Sequence, residues 1–288
     1  MAVNYKELKS GGFIRQKQPD FFSMRVKCVA GNLTVEQLAA IKKVAEKFGR
    51  RYIHLTSRQG VEIPFIHLND IEQVKKFLAA NGMQTAVCSA GVRTITACQG
   101  SAVCPSGWID CAKIAGEIDK RYSTRKLPHK FKIGITGCRN NCLKAEQNDI
   151  GIKGGAEPAW SAETCTYCGR CQAVCPAKII AVDKNNRTVT RDAEKCVYCG
   201  KCVRNCPTKA WAGTSGFVVS FGGLYGNRIA VGEKVLPIIL DEAELFKVID
   251  AALDFFARNG KAGERFRFTL ERVGWEKFAS EVQALTTG

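Results

Sequence analysis

A cysteine pattern that occurs twice constrains this chain more than any other feature of its sequence. Residues 163–180 read ETCTYCGRCQAVCPAKII, and residues 194–211 read EKCVYCGKCVRNCPTKAW. Each copy has the spacing C-x2-C-x2-C-x3-C-P. Closely spaced thiolates are ligands for iron–sulfur clusters or for zinc, so this segment is predicted to bind two metal centres.

The spacing indicates iron–sulfur clusters rather than zinc. It is the run that holds [4Fe–4S] clusters in bacterial ferredoxins, where the fourth cysteine of each run ligates the other cluster. Cluster one is therefore expected to be held by Cys165, Cys168, Cys171 and Cys206, and cluster two by Cys196, Cys199, Cys202 and Cys175. Such a module conducts electrons. The stretch AVDKNNRTVT within it predicts a hairpin that turns at Asn185 and Asn186.

The module is predicted to be inserted into a larger domain. GIKGGAEPAW precedes it and AGTSGFVVSFGGLYG follows it, and each carries an apolar run that suits a strand of the host. We therefore assign residues 159–215 to an inserted bacterial-type ferredoxin module with two [4Fe–4S] clusters. The host domain is expected to resume near Gly216.

The residues before the module follow a β-α-β-α pattern. DFFSMRVKCVAG and YIHLTSRQGVEIPFI predict strands, and TVEQLAAIKKVAEKFG and DIEQVKKFLAANG predict helices. Thr34 and Gln37 form a capping box at the start of the first helix. Its apolar face is predicted to consist of Leu38, Ile41, Ala45 and Phe48. The pattern predicts a ferredoxin-like half-domain over residues 1–85.

The residues after the module predict helices. DEAELFKVIDAALDFFARNG should form a helix that is capped by Asp241 and ended by Gly260. GERFRFTLERVGWEKFASEVQAL should form a further helix, interrupted near Gly274. The fold class is therefore predicted to be α+β.

The cysteine content and the net charge indicate which partners and which cellular compartment to expect. The 288 residues include 15 cysteines, and 43 Lys and Arg residues stand against 27 Asp and Glu residues, a formal net charge of +16. No recognition helix, aromatic single-strand motif or basic tail accompanies this charge, so a polyanionic cofactor or an acidic protein partner is expected rather than nucleic acid. No apolar run approaches the length of a membrane span and MAVNYKELKSGG has no signal-peptide core, so a cytoplasmic protein is expected. Many cysteines in that compartment indicate metal or redox chemistry.

Four further cysteines form two pairs outside the module. Cys98 and Cys104 have the spacing C-x5-C, and Cys138 and Cys142, in KFKIGITGCRNNC, have the spacing C-x3-C. Spacing alone leaves a third iron–sulfur cluster and buried structural thiols as open alternatives. The remaining thiols are interpreted as buried and inert: Cys28, Cys88 and Cys111.

The two pairs, the second preceded by LPHKFK, resemble the site of the sulfite and nitrite reductase family, which binds sirohaem beside a [4Fe–4S] cluster. FFSMRVKCVAGNLTVEQLAAIKKVAEKFGRRYIHLTSRQGVEI is similar to the family's ferredoxin-like half-domain, and GVRTITACQG is similar to the segment that leads to its first cluster cysteine. With its inserted module, the chain most resembles the C-subunit type of anaerobic sulfite reductases. On this resemblance, residues 86–158 and 216–288 form the sirohaem and [4Fe–4S] domain.

The resemblance implies roles for particular residues. A third cluster is implied for Cys98, Cys104, Cys138 and Cys142, and the last of these is also implied as the bridging axial ligand of the sirohaem iron. Binding of the substrate anion is implied for four basic residues, Arg58, Arg93, Lys130 and Lys132. Sirohaem contacts are implied for Thr56, Gln59 and Asn140. Arg58 is expected to share a strand face with Thr56 and His54. Without this context, ion pairs or a solvated strand face would equally account for the basic residues.

The implied reaction is the six-electron reduction of sulfite to sulfide, with electrons entering through clusters one and two. The alternatives are reduction of nitrite to ammonia at the same site and a non-catalytic iron–sulfur protein that only transfers electrons. No G-x-G-x-x-G stands at a strand–helix junction, so the reductant is expected to arrive through an electron-donor protein or through flavin or iron–sulfur subunits. Well-known family members contain two copies of the unit that occurs once here. A homo-oligomer or hetero-complex is therefore expected to complete the sirohaem pocket.

Overall fold

The structure, a computed structural model, describes residues 3–286. Its α-helices are α1 (Tyr5–Ser10), α2 (Val35–Lys47), α3 (Ile71–Ala80), α4 (Cys111–Tyr122), α5 (Arg170–Val174), α6 (Lys201–Asn205), α7 (Glu242–Asn259), α8 (Phe266–Val273) and α9 (Trp275–Gln283). Its strands are β1 (Phe13–Arg15), β2 (Phe21–Val26), β3 (His54–Leu55), β4 (Val61–His67), β5 (Gly91–Val92), β6 (Thr96–Ala97), β7 (Lys130–Phe131), β8 (Ile133–Thr136), β9 (Ile150–Trp160), β10 (Ile180–Asp183), β11 (Thr188–Arg191) and β12 (Trp211–Phe221). The mixture of helices and sheets confirms the predicted α+β class.

The N-terminal half-domain is built on an antiparallel sheet with the strand order β1-β2-β4-β3. Helices α2 and α3 pack on this sheet, and their apolar residues share one core with its inward-facing side chains. Ile41 and Val44 of α2 lie in that core with Val74 of α3, and Met24 and Ile63 contribute from the strands. The two predicted helices and strands β2, β3 and β4 are present in the segments predicted for them, whereas residues 56–60 form a turn.

Helix α2 begins as predicted, but its apolar face is displaced. The capping box is present, because Thr34 Oγ1 accepts from Gln37 N at 3.2 Å and Gln37 Oε1 accepts from Thr34 N at 3.0 Å. Leu38 is 53% exposed, so its assignment to the apolar face was wrong. The buried face is formed by Ala40, Ile41, Val44 and Ala45. Leu38 falls at the edge of that stripe, where a helix meets solvent.

The second sheet has the strand order β12-β9-β8-β6. Strands β6, β8 and β9 are parallel neighbours, and β12 runs antiparallel to β9. Because β6 and β8 point the same way, Cys98 and Cys138, which follow them, emerge at one edge of the sheet. A short parallel pair, β5 with β7, similarly places Arg93 and Lys132 just beyond two adjacent strand ends.

Strands β9 and β12 form one continuous antiparallel ladder, from Ile150↔Phe221 to Trp160↔Trp211. The chain leaves the host along β9, folds both cysteine runs, and returns along β12. The boundaries expected at 158/159 and 215/216 fall inside this ladder. Its outer end belongs to the apolar cluster of the module.

Inside the module, the two short helices α5 and α6 each follow a left-handed glycine and carry the third cysteine of a run. Gly169 has a φ of 79° and Gly200 a φ of 67°, a conformation that glycine adopts without strain. Strands β10 and β11 pair antiparallel around residues 184–187. The hairpin predicted at Asn185 and Asn186 is therefore confirmed.

The three C-terminal helices begin and end near the residues predicted for them. Asp241 caps α7 by accepting from Glu244 N at 2.8 Å, and the helix ends before Gly260. Gly274, with a φ of 110°, separates α8 from α9. No helix within residues 3–286 is both long enough and apolar enough to cross a membrane.

Phenylalanine packing fixes the segment that carries Lys130 and Lys132. Phe131 lies between Lys130 and Lys132 and is fully buried. Its ring centroid is 5.1 Å from that of Phe266 and 5.6 Å from that of Phe256. Burying one such ring contributes about 1.5–3 kcal/mol. Since side chains alternate along an extended chain, this anchor turns both lysines away from the core.

Candidate redox centres and anion-binding cleft

The two cysteine runs surround two separate small cavities. One cavity is lined by the four thiols expected at cluster one, Cys165, Cys168, Cys171 and Cys206. The other is lined by the four expected at cluster two, Cys175, Cys196, Cys199 and Cys202. Each cavity therefore receives its fourth cysteine from the other run, as an exchange of fourth ligands requires.

The cavity walls carry N–H donors that suit cluster sulfur. Tyr167 N donates to Cys165 Sγ at 3.4 Å, and Tyr198 N donates to Cys196 Sγ at 3.5 Å. The Trp211 indole N–H is buried without a hydrogen-bond partner among the described residues, and its side chain borders the cluster-one cavity. Hydrogen bonds to sulfur tune iron–sulfur clusters. The unpaired indole N–H thus fits a cluster at this position.

No three Cys, His, Asp or Glu side chains within residues 3–286 are arranged to hold a single metal ion. A zinc ion would draw four thiolate sulfurs to within about 3.8 Å of one another, given a Zn–S distance of about 2.3 Å. The module thiols instead surround cavities. This arrangement fits a four-iron cluster, which occupies the space between its ligands.

The other four predicted ligands, which we call the host cluster set, are Cys98, Cys104, Cys138 and Cys142. Cys98 and Cys138 leave neighbouring parallel strands, as described above. Burial raises the pKa of Cys138, a backbone hydrogen bond opposes this, and the other three thiols raise the pKa further. The Cys138 thiol therefore lies close enough to each of the other three to interact with it electrostatically, which is compatible with their binding one cluster.

Cys111 is buried, as predicted, but it is not isolated. It begins α4, and its Sγ lies 3.8 Å from Cys98 Sγ. Hydrogen bonding between the two thiols lowers the pKa of Cys98 to about 5 and raises that of Cys111. Gly137 N also donates to Cys98 Sγ, at 3.1 Å. The lowered pKa favours the thiolate form of Cys98, which is the form that binds metal.

A cleft of about 250 Å³, which we call the basic cleft, lies between the N-terminal sheet and the β5–β7 pair. Its lining includes five predicted site residues, Thr56, Arg58, Arg93, Lys130 and Lys132. Arg25 and Cys88 also line it, and no Asp or Glu among the described residues does. Converging cations without carboxylates make this cleft suited to a small anion.

Arg58 lies on a tight turn, so the strand face predicted for it was wrong. Strand β3 ends before Thr56, whose N–H donates to Gly60 O at 2.8 Å and closes the turn. Gln59 has a φ of 58°, in the left-handed region. This residue breaks the extended conformation on which the period-2 argument depended.

Asn148 connects Arg58 to the turn that carries Cys142. Arg58 Nη1 donates to Asn148 Oδ1 at 3.0 Å, and Asn148 Nδ2 donates to Ala145 O at 3.0 Å. Ala145 N in turn donates to Asn141 Oδ1 at 2.8 Å, across Cys142. The cationic side chain and the predicted axial cysteine are therefore held in one hydrogen-bonded frame. No motif in the sequence pointed to Asn148.

Burial perturbs the cations of the cleft. It lowers the pKa of Arg58 to about 10 and that of Lys132 to about 8. Neighbouring cations lower both pKa values further, whereas Asp149 raises them. Asp149 is fully buried, and its carboxylate accepts from Arg265 Nη2 at 2.9 and 3.0 Å and from Lys132 N at 2.8 Å. Because Arg265 neutralises this carboxylate, neither Arg58 nor Lys132 forms an ion pair with it. Arg58 is instead held by neutral acceptors, since its Nη1 donates to Asn148 Oδ1 and its Nη2 to Thr94 O at 3.1 Å.

Gln59 and Asn140 do not line the basic cleft. Gln59 Nε2 donates to Ala97 O at 2.9 Å, and its Oε1 accepts from Ala97 N at 2.9 Å. This amide fixes the segment that leads into the host cluster set. Asn140 is exposed and borders a cavity of about 410 Å³ where the host meets the module.

The module rests on the host loop at residues 105–108. Trp108 Nε1 donates to Cys199 O at 3.3 Å, and the Arg204 guanidinium lies 4.1 Å from the centre of the Trp108 ring. Arg204 also donates to two backbone carbonyls of the loop. Cys199 of cluster two and Cys138 of the host set line the same interface cavity. Cluster two is therefore the module centre that faces the host set.

Comparison with known proteins gives the family. Residues 88–287 match the nitrite and sulphite reductase 4Fe-4S domain, and residues 14–81 match the nitrite/sulfite reductase ferredoxin-like half domain. A ferredoxin-like half-domain joined to a 4Fe-4S-type α+β domain, with the basic cleft between them, is the arrangement of an iron–sulfur oxidoreductase. The chain belongs to the nitrite and sulphite reductase family, as the sequence resemblance predicted.

Three relatives illustrate the likeness. The chain is 35% identical over 279 residues to the coenzyme F420-dependent sulfite reductase of Methanocaldococcus jannaschii, covering 96% of this chain and 44% of that protein. It is 32% identical over 274 residues to an uncharacterised protein of the same organism, covering 95% and 94%. It is 31% identical over 164 residues to the anaerobic sulfite reductase C-subunit of Salmonella typhimurium, covering 52% and 48%. The match thus covers less than half the length of the F420-dependent sulfite reductase and less than half the length of the anaerobic C-subunit.

The fold is shared with dissimilatory sulfite reductase I, a solved structure. The TM-score is 0.74 at 19% identity, and the match covers 91% of this chain and 69% of that chain.

Proposed function

We propose that this chain reduces sulfite to sulfide at a sirohaem bound beside the basic cleft. The cleft carries the proposal, because Arg58, Arg93, Lys130 and Lys132 line it and no carboxylate of the described residues does. The reaction balances as hydrogen sulfite, six electrons and six protons giving hydrosulfide and three waters. Two relatives with sulfite reductase names support this choice of anion.

Three [4Fe–4S] clusters and one sirohaem are proposed for the loaded chain. The host cluster set would hold the third cluster, and Cys142 would also supply a thiolate to the sirohaem iron. When bound, the sirohaem supplies an electron-rich iron that can accept a small oxyanion and deliver electrons to it. Thr56 would contact the cofactor from the cleft. Gln59 and Asn140 are proposed to position the surrounding loops.

The residues of the cleft are proposed to bind the anion and to supply protons. Charge-assisted hydrogen bonds from Arg58 and Arg93 would hold its oxygens and draw charge onto them, which weakens the S–O bonds. Lys132, with its pKa lowered to about 8 by burial, is acidic enough near neutral pH to protonate a departing oxygen. Lys130 would act beside it, and the opening of the cleft to solvent would reprotonate both.

Electrons are proposed to pass from cluster one to cluster two and then to the host cluster. Cys168 of cluster one is exposed, whereas Cys199 of cluster two shares a cavity with Cys138 of the host set. Residues 159–215 are proposed to act as the inserted electron-transfer unit of the host, which comprises residues 1–85 and the domain of residues 86–158 and 216–288.

The assembly is proposed to contain more than one chain and to receive electrons from a donor protein or from flavin or iron–sulfur subunits. A cleft of about 250 Å³ accommodates an anion but not a whole tetrapyrrole. A second copy of this chain or a different protein would cover the rest of the macrocycle.

The proposal is tested by product analysis on anaerobically loaded protein, with reduced methyl viologen as electron donor. We expect sulfide from sulfite at six viologens per sulfide. Lys130→Ala and Lys132→Ala should each lower the rate about a hundredfold, whereas Lys126→Ala, an exposed lysine outside the cleft, should not. Faster formation of ammonia from nitrite would favour a nitrite reductase. No turnover of either anion by fully loaded protein would favour a non-catalytic electron-transfer protein.

A further inference from the structure

The surroundings of the two module clusters differ in charge. Four basic side chains lie around cluster one: Arg170, Lys178, Lys184 and Arg187. All four are exposed, and none forms an ion pair with a carboxylate of the described residues. We call this group the basic rim.

Contacts tie the basic rim to cluster one. Arg170 lines the cluster-one cavity. Lys178 and Lys184 border an open cleft of about 520 Å³ together with Cys168 of cluster one, and Cys175, the fourth ligand expected at cluster two, lines it as well. The Arg187 guanidinium lies 5.2 Å from the ring centre of Tyr167, which also lines the cluster-one cavity.

Most basic residues near cluster two are paired or lie against the host. Lys201 is exposed, but it lines the cavity where the module meets the host, together with Cys199. Arg191 donates to Glu157 at 2.9 Å, and Lys195 lies 2.9 Å from Asp192. Arg204 is bound to the host loop, as described above. The basic side chains around cluster two therefore form ion pairs or lie at the interface with the host, whereas those around cluster one face solvent away from the host loop.

Cluster one is also the more accessible centre. Cys168 is the only exposed cysteine among the eight in the module. Residues 161–190 contain just two carboxylates, Glu163 and Asp183, and Asp183 accepts hydrogen bonds from Asn185 and Asn186 within its own turn. An approaching molecule would therefore meet a cationic surface next to an exposed cluster ligand.

We propose that the basic rim is the docking surface for an acidic electron-carrier protein, which delivers one electron at a time to cluster one. In each encounter the reduced carrier loses one electron and cluster one gains it. This inference rests on the proposed function, because it takes the module as the inlet for electrons. A partner protein is favoured over a small anion because the four cations spread around the cluster instead of converging on one pocket.

Opposite charges on two proteins raise association rates by about 10–10³-fold, and salt suppresses the effect. The test uses a pre-reduced acidic 2[4Fe–4S] ferredoxin as the probe and omits sulfite. Stopped-flow absorption follows reduction of the module clusters, and calorimetry measures ferredoxin binding. We expect Lys178→Glu combined with Lys184→Glu to lower the second-order rate constant and the affinity at least tenfold at low ionic strength.

A matched control carries Lys247→Glu and Lys277→Glu, which change the net charge equally but lie on α7 and α9. This control should stay within twofold of wild type, and reduction by uncharged small reductants should be unaffected in both variants. A wild-type rate that does not respond to salt, an equal loss in the control, or equally tight binding of single-stranded RNA would overturn the proposal. Since no sulfite is present, failure of the proposed reaction would leave these readouts unchanged.

Discussion

At the residue scale, Lys132 offers a direct test of the electrostatics of the basic cleft. Burial, and then Arg58 and Arg265, lower its pKa to about 8. An anion binds the ammonium form, so sulfite affinity should be full at pH values below about 8 and should fall as the pH rises through that value. Equilibrium titration with sulfite across this range measures the effect.

The same titration on Lys132→Met supplies the control, since methionine keeps most of the side-chain length without the charge. We expect weaker binding and no loss of affinity around pH 8. A Lys126→Met variant should keep the wild-type profile. If Lys132→Met kept it as well, Lys132 would not be the titrating group.

Cys111 should tune the host cluster without ligating it. Its Sγ lies within hydrogen-bonding distance of Cys98 Sγ, and donation from Cys111 to a ligand thiolate would stabilise the more negative, reduced cluster. Cys111→Ala should therefore lower the reduction potential of the host cluster by about 40 mV, the equivalent of about 1 kcal/mol for one electron. Potentiometric titration followed by electron paramagnetic resonance measures this. Cys111→Ser should retain most of the potential, and loss of the cluster in Cys111→Ala would instead make Cys111 a ligand.

The places of candidate site residues were predictable where the pattern is local in the chain. The module cysteines follow from spacing alone, and the basic residues follow from the family resemblance. Gln59 and Asn148 were not recognised as positioning residues, because the partners Ala97 and Arg58 lie far from them in sequence. Such contacts exist only after tertiary packing, and no period or spacing marks them.

At the element scale, the flanking strands were predicted but their extent was not. The glycine-rich flanks of the module suggested linkers next to strands, whereas β9 and β12 pair without interruption across both expected boundaries. The length of a strand pair depends on the strand that lies opposite. The sequence of one strand alone does not identify that partner. Arg58 illustrates the converse, since a single left-handed residue, Gln59, turned a predicted strand into a turn.

The contact of α6 with the host loop should control electron transfer into the host. Arg204 stacks on Trp108 and donates to the loop backbone. Arg204→Ala should therefore weaken the contact that holds cluster two against the host loop. Small displacements of reacting centres are costly, and we expect about tenfold slower reoxidation of the module clusters when reduced protein is mixed with sulfite. Stopped-flow absorption measures the rate. Arg187→Ala, at the outer side of the module, should leave this internal step unchanged, and equal slowing in both variants would argue against the contact.

At the scale of the whole molecule, the cofactor content should follow the three cysteine sets. Three [4Fe–4S] clusters and one sirohaem iron amount to about thirteen irons per chain. Iron and acid-labile sulfide assays on anaerobically prepared protein measure this. A value near eight irons would mean that the host cluster set does not hold a cluster.

The measurement that tests the central claim most directly is the visible spectrum of the loaded chain during titration with sulfite. We predict haem-like bands above the broad iron–sulfur absorption, and a saturable shift of those bands as sulfite binds. Lys130→Ala and Lys132→Ala should keep the bands but should each require about a hundredfold more sulfite for the same shift. A protein with its full set of clusters and no haem-like bands, or bands that do not respond to sulfite, would contradict a sirohaem served by the basic cleft.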